Sequence, residues 1–158
     1  MITGVLSGLA AVSLRWALEE ARGIEITNGF YGKLLTVVLP AVGAVLAMVF
    51  LKYAISDSTG HGVPEVIAAV TRKGGRIRFR SSISRLIGSF LTIASGGSAG
   101  PEAPVVLSGA SLGSNLANTF WAPDRVRITA VGCGAAGAIA GIFNAPVAGM
   151  VFAVEVIL

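Results

Sequence analysis

Long apolar stretches alternate with short polar breaks along most of this 158-residue chain. Three stretches contain no charged residue, namely 34–51, 103–123 and 128–154. A helix that crosses a bilayer needs about 20 mostly apolar residues, so all three have a suitable length. The pattern predicts helices, with a kink at Pro40 in the second. They run over about 2–22, 34–53, 64–72, 82–95, 102–120, 125–142 and 146–158.

The composition points to a lipid environment. Hydrophobic residues make up 54% of the chain and charged residues 13%, whereas soluble domains contain about 25% charged residues. So few charges could not cover a surface that faces water. The 21 glycines include several, such as Gly109, Gly113, Gly134 and Gly141, that would let membrane helices pack backbone to backbone. The sequence therefore predicts an all-α, polytopic membrane protein.

The net charge of +4 is concentrated in one predicted loop, 72–80. It contains Arg72, Lys73, Arg76, Arg78 and Arg80. Such clusters mark the cytoplasmic side of membrane proteins, and contact with anionic lipid is a second interpretation. Nucleic-acid binding is not expected, because only Phe79 could stack on a base. A single histidine and a single cysteine predict neither a metal site nor a disulfide, and no cofactor is expected.

Three breaks share a pattern in which glycine, serine or asparagine precedes a proline that opens a new helix. They are Gly60–Pro64, 96–104 and 143–146. Proline is favoured at the first helical position, where its missing N–H costs nothing. The other first-turn N–H groups have no intrahelical partner. Inside a membrane such irregular backbone is tolerated only where it lines a cavity or an ion site.

Helix N-termini carry about half a positive charge. Several of them aimed at one point would form an anion site without a full positive charge. Such a site holds an ion weakly enough for the ion to leave again, as conduction requires. Ordinary turns at the membrane surface are the competing interpretation of each break.

The three breaks resemble, in order and spacing, the motifs of the chloride channel/transporter (CLC) family. Gly60-His61-Gly62-Val63-Pro64-Glu65 resembles G-S-G-I-P-E, and Gly100-Pro101-Glu102-Ala103-Pro104 resembles G-R-E-G-P. Phe143-Asn144-Ala145-Pro146, with Phe152 and Glu155, resembles N-A-P-L-A-G-x-L-F-x-x-E. The resemblance implies transport of chloride or another small anion by a membrane protein that is not an enzyme, with tilted and partly re-entrant helices.

The resemblance also assigns site residues. Glu102 would be the gating carboxylate, which occupies the outer anion site when ionised and leaves it when protonated. The anion would contact His61, Gly62, Val63, Gly100, Ala103, Pro104 and Val105. His61 stands where the family usually has a serine; its imidazole can donate a hydrogen bond, or it serves only the neighbouring backbone. Arg85 would contribute to the field of the pore or anchor the helix at the interface.

Departures from the family pattern bear on the mechanism. Pro101 and Ala103 replace the usual Arg and Gly of the second motif. Proton-coupled exchangers often have two acids at the end of the third motif, but here Glu155 is followed by Val156. Glu155 is thus a doubtful candidate for a proton path. The pattern favours a voltage-gated, channel-like pore, and a proton-coupled chloride or fluoride antiporter remains the alternative.

Family members have a second, inverted half that supplies a further helix N-terminus and a tyrosine hydroxyl. Residues 1–158 are therefore expected to form one transmembrane domain that is an incomplete part of a larger subunit. The resemblance implies a homodimer with one pore per subunit, and a multi-pass position in the inner membrane of a bacterium.

Two other classes of function are open. Gly132, Gly134 and Gly137 match the G-x-G-x-x-G fingerprint of an NAD-binding oxidoreductase, with 125–131 as its strand and Glu155 as its ribose-binding acid. The absence of charge from Ile128 to Val154 argues against that interpretation. An unrelated secondary transporter with broken helices would share the arrangement of breaks but not the three ordered motifs.

Overall fold

Helices make up nearly all of the structure, a computed structural model that describes residues 2–22, 30–54, 62–98 and 100–158. No strand occurs in these residues. The helices are α1 (Ile2–Arg22), α2 (Phe30–Ala54), α3 (Val63–Lys73), α4 (Phe79–Ala94), α5 (Glu102–Thr119), α6 (Asp124–Phe143) and α7 (Pro146–Phe152). A π-helical turn, Ala153–Ile157, continues directly from α7.

The helices agree with the predicted ones except at three places. First, α2 begins at Phe30 rather than near residue 34. The second difference is that α4 begins at Phe79, so Arg80 belongs to its first turn. Third, the last predicted helix changes to π geometry at Ala153. The predicted loop 72–80 is therefore helical at both ends and irregular only over 74–78. Cations in the last turn of α3 are stabilised by the partial negative charge of the helix C-terminus.

Helix α6 lies at the centre and packs closely against α1 and α5 through glycines, which confirms the close packing predicted from composition. A Cβ atom at Gly113 would overlap the carbonyl oxygen of Ala130, and one at Gly134 would overlap that of Gly109. On the side toward α1, a Cβ atom at Gly137 would overlap the Gly4 carbonyl. Backbones at this separation leave room for hydrogen only.

Buried polar side chains of α5 and α6 hold the turn that follows α3. Gly74 and Gly75 adopt φ of 57° and 77°, which glycine does at little cost. The Ser114 hydroxyl donates to the Gly75 carbonyl at 2.6 Å and accepts from the Ile77 amide at 3.0 Å. Arg127, only 6% exposed, donates to the Gly74 carbonyl at 3.1 Å and forms an ion pair with Asp124. The turn is thereby held to both α5 and α6.

The dinucleotide-binding interpretation is wrong. Gly132, Gly134 and Gly137 all lie inside α6, and residues 125–131 are helical rather than a strand. A dinucleotide fingerprint needs a strand, a tight turn and the start of a helix. Here the glycines serve contacts between helices instead.

Length and composition make α6 the one helix of the described residues that is long and apolar enough to cross a membrane. Shorter apolar helical stretches are Val38–Tyr53, Ser82–Ala94 and Pro146–Ile157. Large apolar side chains are exposed on several helices, among them Leu9, Trp16, Val45, Met48 and Val154.

Candidate functional site

The N-terminus of α3 presents unused backbone donors. Gly62, its N-cap, adopts φ 57° and ψ −116°, a conformation that only glycine adopts without strain. Its carbonyl accepts from the amides of Glu65 and Val66 at 3.2 and 3.3 Å. Pro64 has no N–H, and within the described residues the amides of Gly62 and Val63 have no hydrogen-bond acceptor. These two N–H groups are the donors that this helix start leaves available.

The start of α5 also has backbone N–H groups that lack an acceptor within the described residues. The amide of Val105 donates to the Pro101 carbonyl at 3.1 Å, and the Val105 side chain is 1% exposed. Pro104 has no N–H, so the amides of Glu102 and Ala103 are the ones without an acceptor in the described part of the chain. Val105, predicted as an anion contact, has its N–H occupied by the first turn of its own helix and is left out of the candidate site.

These two helix starts meet. Gly62 is buried, and a Cβ atom placed on it would lie 2.5 Å from the Cβ of Ala103 and 3.2 Å from its Cα. The breaks before Pro64 and Pro104 are thus neighbours in the fold, although about 40 residues separate them in the sequence. Any side chain at position 62 would push α3 and α5 apart.

A cavity of about 290 Å³ lies beside this contact. That volume exceeds the space of several water molecules, each of which occupies about 30 Å³ in the liquid. The cavity opens to the surface and is bordered by α2, the N-cap of α3, α4, the start of α5 and Gly100, two residues before α5. Its lining consists of Leu51, Gly62, Arg85, Gly88, Ser89, Thr92, Gly100, Ala103 and Pro104.

The Glu102 carboxylate folds back over the chain that precedes its helix. A Cβ atom on Gly100 would overlap Glu102 Oε2. Glycine at position 100 therefore leaves the space that this carboxylate occupies, next to the mouth of the cavity that Gly100 and Ala103 line. The side chain is half-buried and stands in the first turn of α5, where a negative charge is favourable.

Arg85 lines the cavity and forms an ion pair with Glu65, in the first turn of α3. The distance from Arg85 Nη2 to Glu65 Oε2 is 3.0 Å, and the two side chains are 13% and 20% exposed. A charge pair with so little exposure persists only when each charge compensates the other. The pair connects α4 to the helix start that faces the cavity.

Other predicted site residues lie elsewhere. His61 falls outside the described residues. The third break begins α7 at Pro146, where Pro146 and Val147 are exposed and neither lines the cavity. Glu155 lies exposed in the π-helical turn and is also absent from the lining. Two of the three breaks therefore come together at this cavity, and the third does not join them there.

The cavity also contains residues that the motifs did not indicate. Besides Leu51 of α2, they are Gly88, Ser89 and Thr92 of α4. Together with Arg85 they follow the spacing i, i+3, i+4 and i+7, which places them on one face of the helix. That spacing was visible in the sequence, but nothing showed which face would turn toward the breaks.

A sequence model of the family described as "Voltage gated chloride channel" matches residues 42–158. The chain belongs to this family. Membership agrees with the all-α structure and makes the chain part of an integral membrane protein. The matched range includes both helix starts, the cavity-lining residues, Glu102 and the Glu65–Arg85 pair.

Two curated relatives illustrate the range within the family. One, from Ralstonia nicotianae, is named "Putative chloride channel protein ClcB-like"; it is 28% identical over 99% of this chain and 39% of its own length. Another, from Cronobacter sakazakii, is named "H(+)/Cl(-) exchange transporter ClcA" and is 28% identical over 98% of this chain and 35% of its own length. The chain thus spans less than two fifths of the length of these relatives. No solved structure matches it significantly.

Proposed function

We propose that this chain is the first part of a larger membrane subunit that carries chloride or another small anion across the membrane. The observation that carries the proposal is the contact between Gly62 and Ala103, which brings two helix N-termini to one cavity. Family membership supports it independently. The proposal assigns the protein neither an enzymatic activity nor a cofactor.

The electrostatics of this arrangement suit an anion that must be held and released. The unused amides of Gly62, Val63, Glu102 and Ala103 belong to two helix starts that each carry about half a positive charge. Donors that are oriented in advance bind an anion without reorganisation. Glu65, in the first turn of α3, compensates part of the positive charge of Arg85, which lines the cavity from α4. The site attracts anions but does not trap them.

Glu102 is proposed as the gate. An ionised carboxylate accepts hydrogen bonds from the same kind of donors as a transported anion does. In the conformation described, its oxygen lies over Gly100 at the edge of the cavity. Rotation of this side chain into the cavity would fill the site with a tethered negative charge, and protonation would release it.

A channel-like mechanism is proposed over proton-coupled exchange. The position after Glu155 holds valine, so the second acid that exchangers often carry is missing from this part of the chain. Glu155 itself is exposed and stands apart from the cavity lining. The exchanger remains the second candidate, because one relative bears that name. Measurement of proton movement alongside chloride flux distinguishes the two.

The decisive experiment measures anion flux from liposomes that contain the full-length parent. With Glu102→Gln we expect flux to lose its dependence on external pH, because glutamine cannot ionise. Glu19→Gln is the matched control, since it removes an exposed acid whose partner is Arg15 on α1. Unchanged rate and pH dependence in Glu102→Gln would refute the gate. A parent that passes no anion would refute the function.

The surroundings of the protein are proposed as well. The irregular segment 74–78, with its flanking cations, would face the cytoplasm. The subunit would be a multi-pass protein of a bacterial inner membrane. It would form a homodimer. Its other partners would be lipid and the transported anion, and it would not bind nucleic acid.

A further inference from the structure

One face of α4 forms a wall of the cavity and carries polar groups. Arg85 and Ser89 lie one turn apart on it, and Thr92 follows within the next turn. Across the cavity from this face are the helix starts at Gly62 and Ala103. An anion in the cavity would therefore lie between the backbone donors at the starts of α3 and α5 and the polar side chains of α4.

The hydroxyl groups of α4 are not equivalent. In apolar surroundings serine and threonine usually donate to a carbonyl one turn earlier in their own helix. Ser84 donates to the Arg80 carbonyl at 3.0 Å and Thr92 to that of Gly88 at 3.0 Å. Ser82 donates instead to the Leu107 carbonyl of α5 at 3.4 Å. Within the part of the chain that the structure describes, the Ser89 hydroxyl has no such acceptor. Thr92 also lines the cavity, but its hydroxyl already donates to Gly88. The Ser89 hydroxyl therefore has its hydrogen available for another acceptor.

We propose that Ser89 is a direct anion ligand whose hydroxyl donates to the transported ion from the α4 side. The proposal rests on the proposed function, since it assumes an anion in this cavity. A hydroxyl whose hydrogen has no acceptor among the described residues gains most from an acceptor that carries charge. Arg85, one turn earlier on the same face, adds positive potential, part of which Glu65 compensates. Ser89 thus contributes to selectivity for anions that accept strong hydrogen bonds.

The test uses the full-length parent, with chloride and iodide titrated by calorimetry in detergent. Iodide is larger and accepts weaker hydrogen bonds. Ser89→Ala should weaken chloride binding about ten-fold, the loss expected for one hydrogen bond to a charged ligand. It should weaken iodide binding less and so lower the chloride-to-iodide affinity ratio. Ser89→Thr, which keeps a hydroxyl, should retain that ratio.

Ser84→Ala is the matched control, because it removes a hydroxyl of the same helix that donates to the Arg80 carbonyl and does not line the cavity. It should leave both affinities unchanged. If Ser89→Ala does not fold, Ser89→Cys replaces the hydroxyl with a weak donor of similar size and should lower the ratio likewise.

If the folded Ser89→Ala and Ser89→Cys variants keep the wild-type affinities for chloride and iodide, and the same ratio between them, Ser89 is not an anion ligand. That result would not affect the proposed transport function. Failure of the wild-type parent to bind or pass any anion would instead refute the proposed function itself. The two failures are therefore distinguishable in the same set of preparations.

Discussion

Gly62 and Ala103 touch across the start of two helices, so close that position 62 has no room for a side chain. The positive φ of Gly62 is a second and independent reason for glycine there. Steric exclusion and backbone geometry thus act at the same residue. That residue also caps the helix whose free amides face the proposed anion.

Gly62→Ala should therefore damage both stability and anion binding. The sparsely populated conformation of Gly62, with φ 57° and ψ −116°, alone costs about 1–3 kcal/mol for a residue with a Cβ atom, and the overlap with Ala103 adds to it. We expect a lower unfolding temperature in detergent and a loss of chloride affinity. Gly4→Ala is the control, since its Cβ atom would lie at an ordinary 3.5 Å from the Cys133 carbonyl. Equal stability and affinity in Gly62→Ala and wild type would contradict the described contact.

Gly100→Ala should disturb the gate without removing its charge. The new methyl group would overlap Glu102 Oε2, so the carboxylate would have to move to another rotamer. We expect the pH dependence of flux to shift in Gly100→Ala. In the Glu102→Gln background the same substitution should change flux much less, because no ionised gate remains. Additive effects of the two substitutions would show that Gly100 acts independently of Glu102.

The Glu65–Arg85 pair should show strong coupling in a double-mutant cycle. Removal of one partner takes away the ion pair of a largely buried charge, which costs about 3–5 kcal/mol in fully buried pairs and less at 13% and 20% exposure. Glu65→Gln and Arg85→Gln should each lower the unfolding temperature. The double variant should lower it by less than the sum of the two. Simple additivity would show that the pair makes no net contribution to the fold.

The side of the membrane on which segment 74–78 lies can be measured directly. Arg76 is exposed in the turn, and Arg76→Cys in a Cys133→Ala background places one thiol there. A membrane-impermeant maleimide should label it in inside-out vesicles and not in intact cells. Trp121→Cys is the control. Trp121 is exposed beyond the end of α5 that is opposite Glu102 and is expected on the same side of the membrane as Arg76. Its labelling shows whether the reagent reaches that side. Labelling of Arg76→Cys in intact cells would reverse the proposed orientation.

Sequence reasoning succeeded where single residues fix local structure. Proline in the first turn, preceded by Gly62 in one case and by Asn144 in the other, marked the starts of α3 and α7 to within one residue. Apolar stretches bounded by such residues gave the extents of α1, α5 and α6 almost unchanged. These features depend on backbone geometry within a few residues, which the local sequence determines.

Arrangements that depend on contacts between distant residues could not be predicted in this way. A Cβ atom on Gly88 would lie 3.1 Å from the Leu51 side chain, so glycine allows this side of α4 to approach α2, and the Arg85–Ser89 face turns toward the cavity. The third break has the same local pattern as the other two. Its helix, however, is fixed by the approach of Gly149 to the Ala136 carbonyl of α6, and no motif encodes that approach.

The anchored turn after α3 has a mechanical consequence. Ser114 and Arg127 immobilise the far end of α3 against α5 and α6, while Gly62 immobilises the near end against Ala103. A short helix clamped at both extremities cannot tilt by itself to widen a passage. In the proposed mechanism, opening and closing therefore fall to a side chain that can rotate, and the swing of the Glu102 carboxylate needs no movement of the surrounding helices.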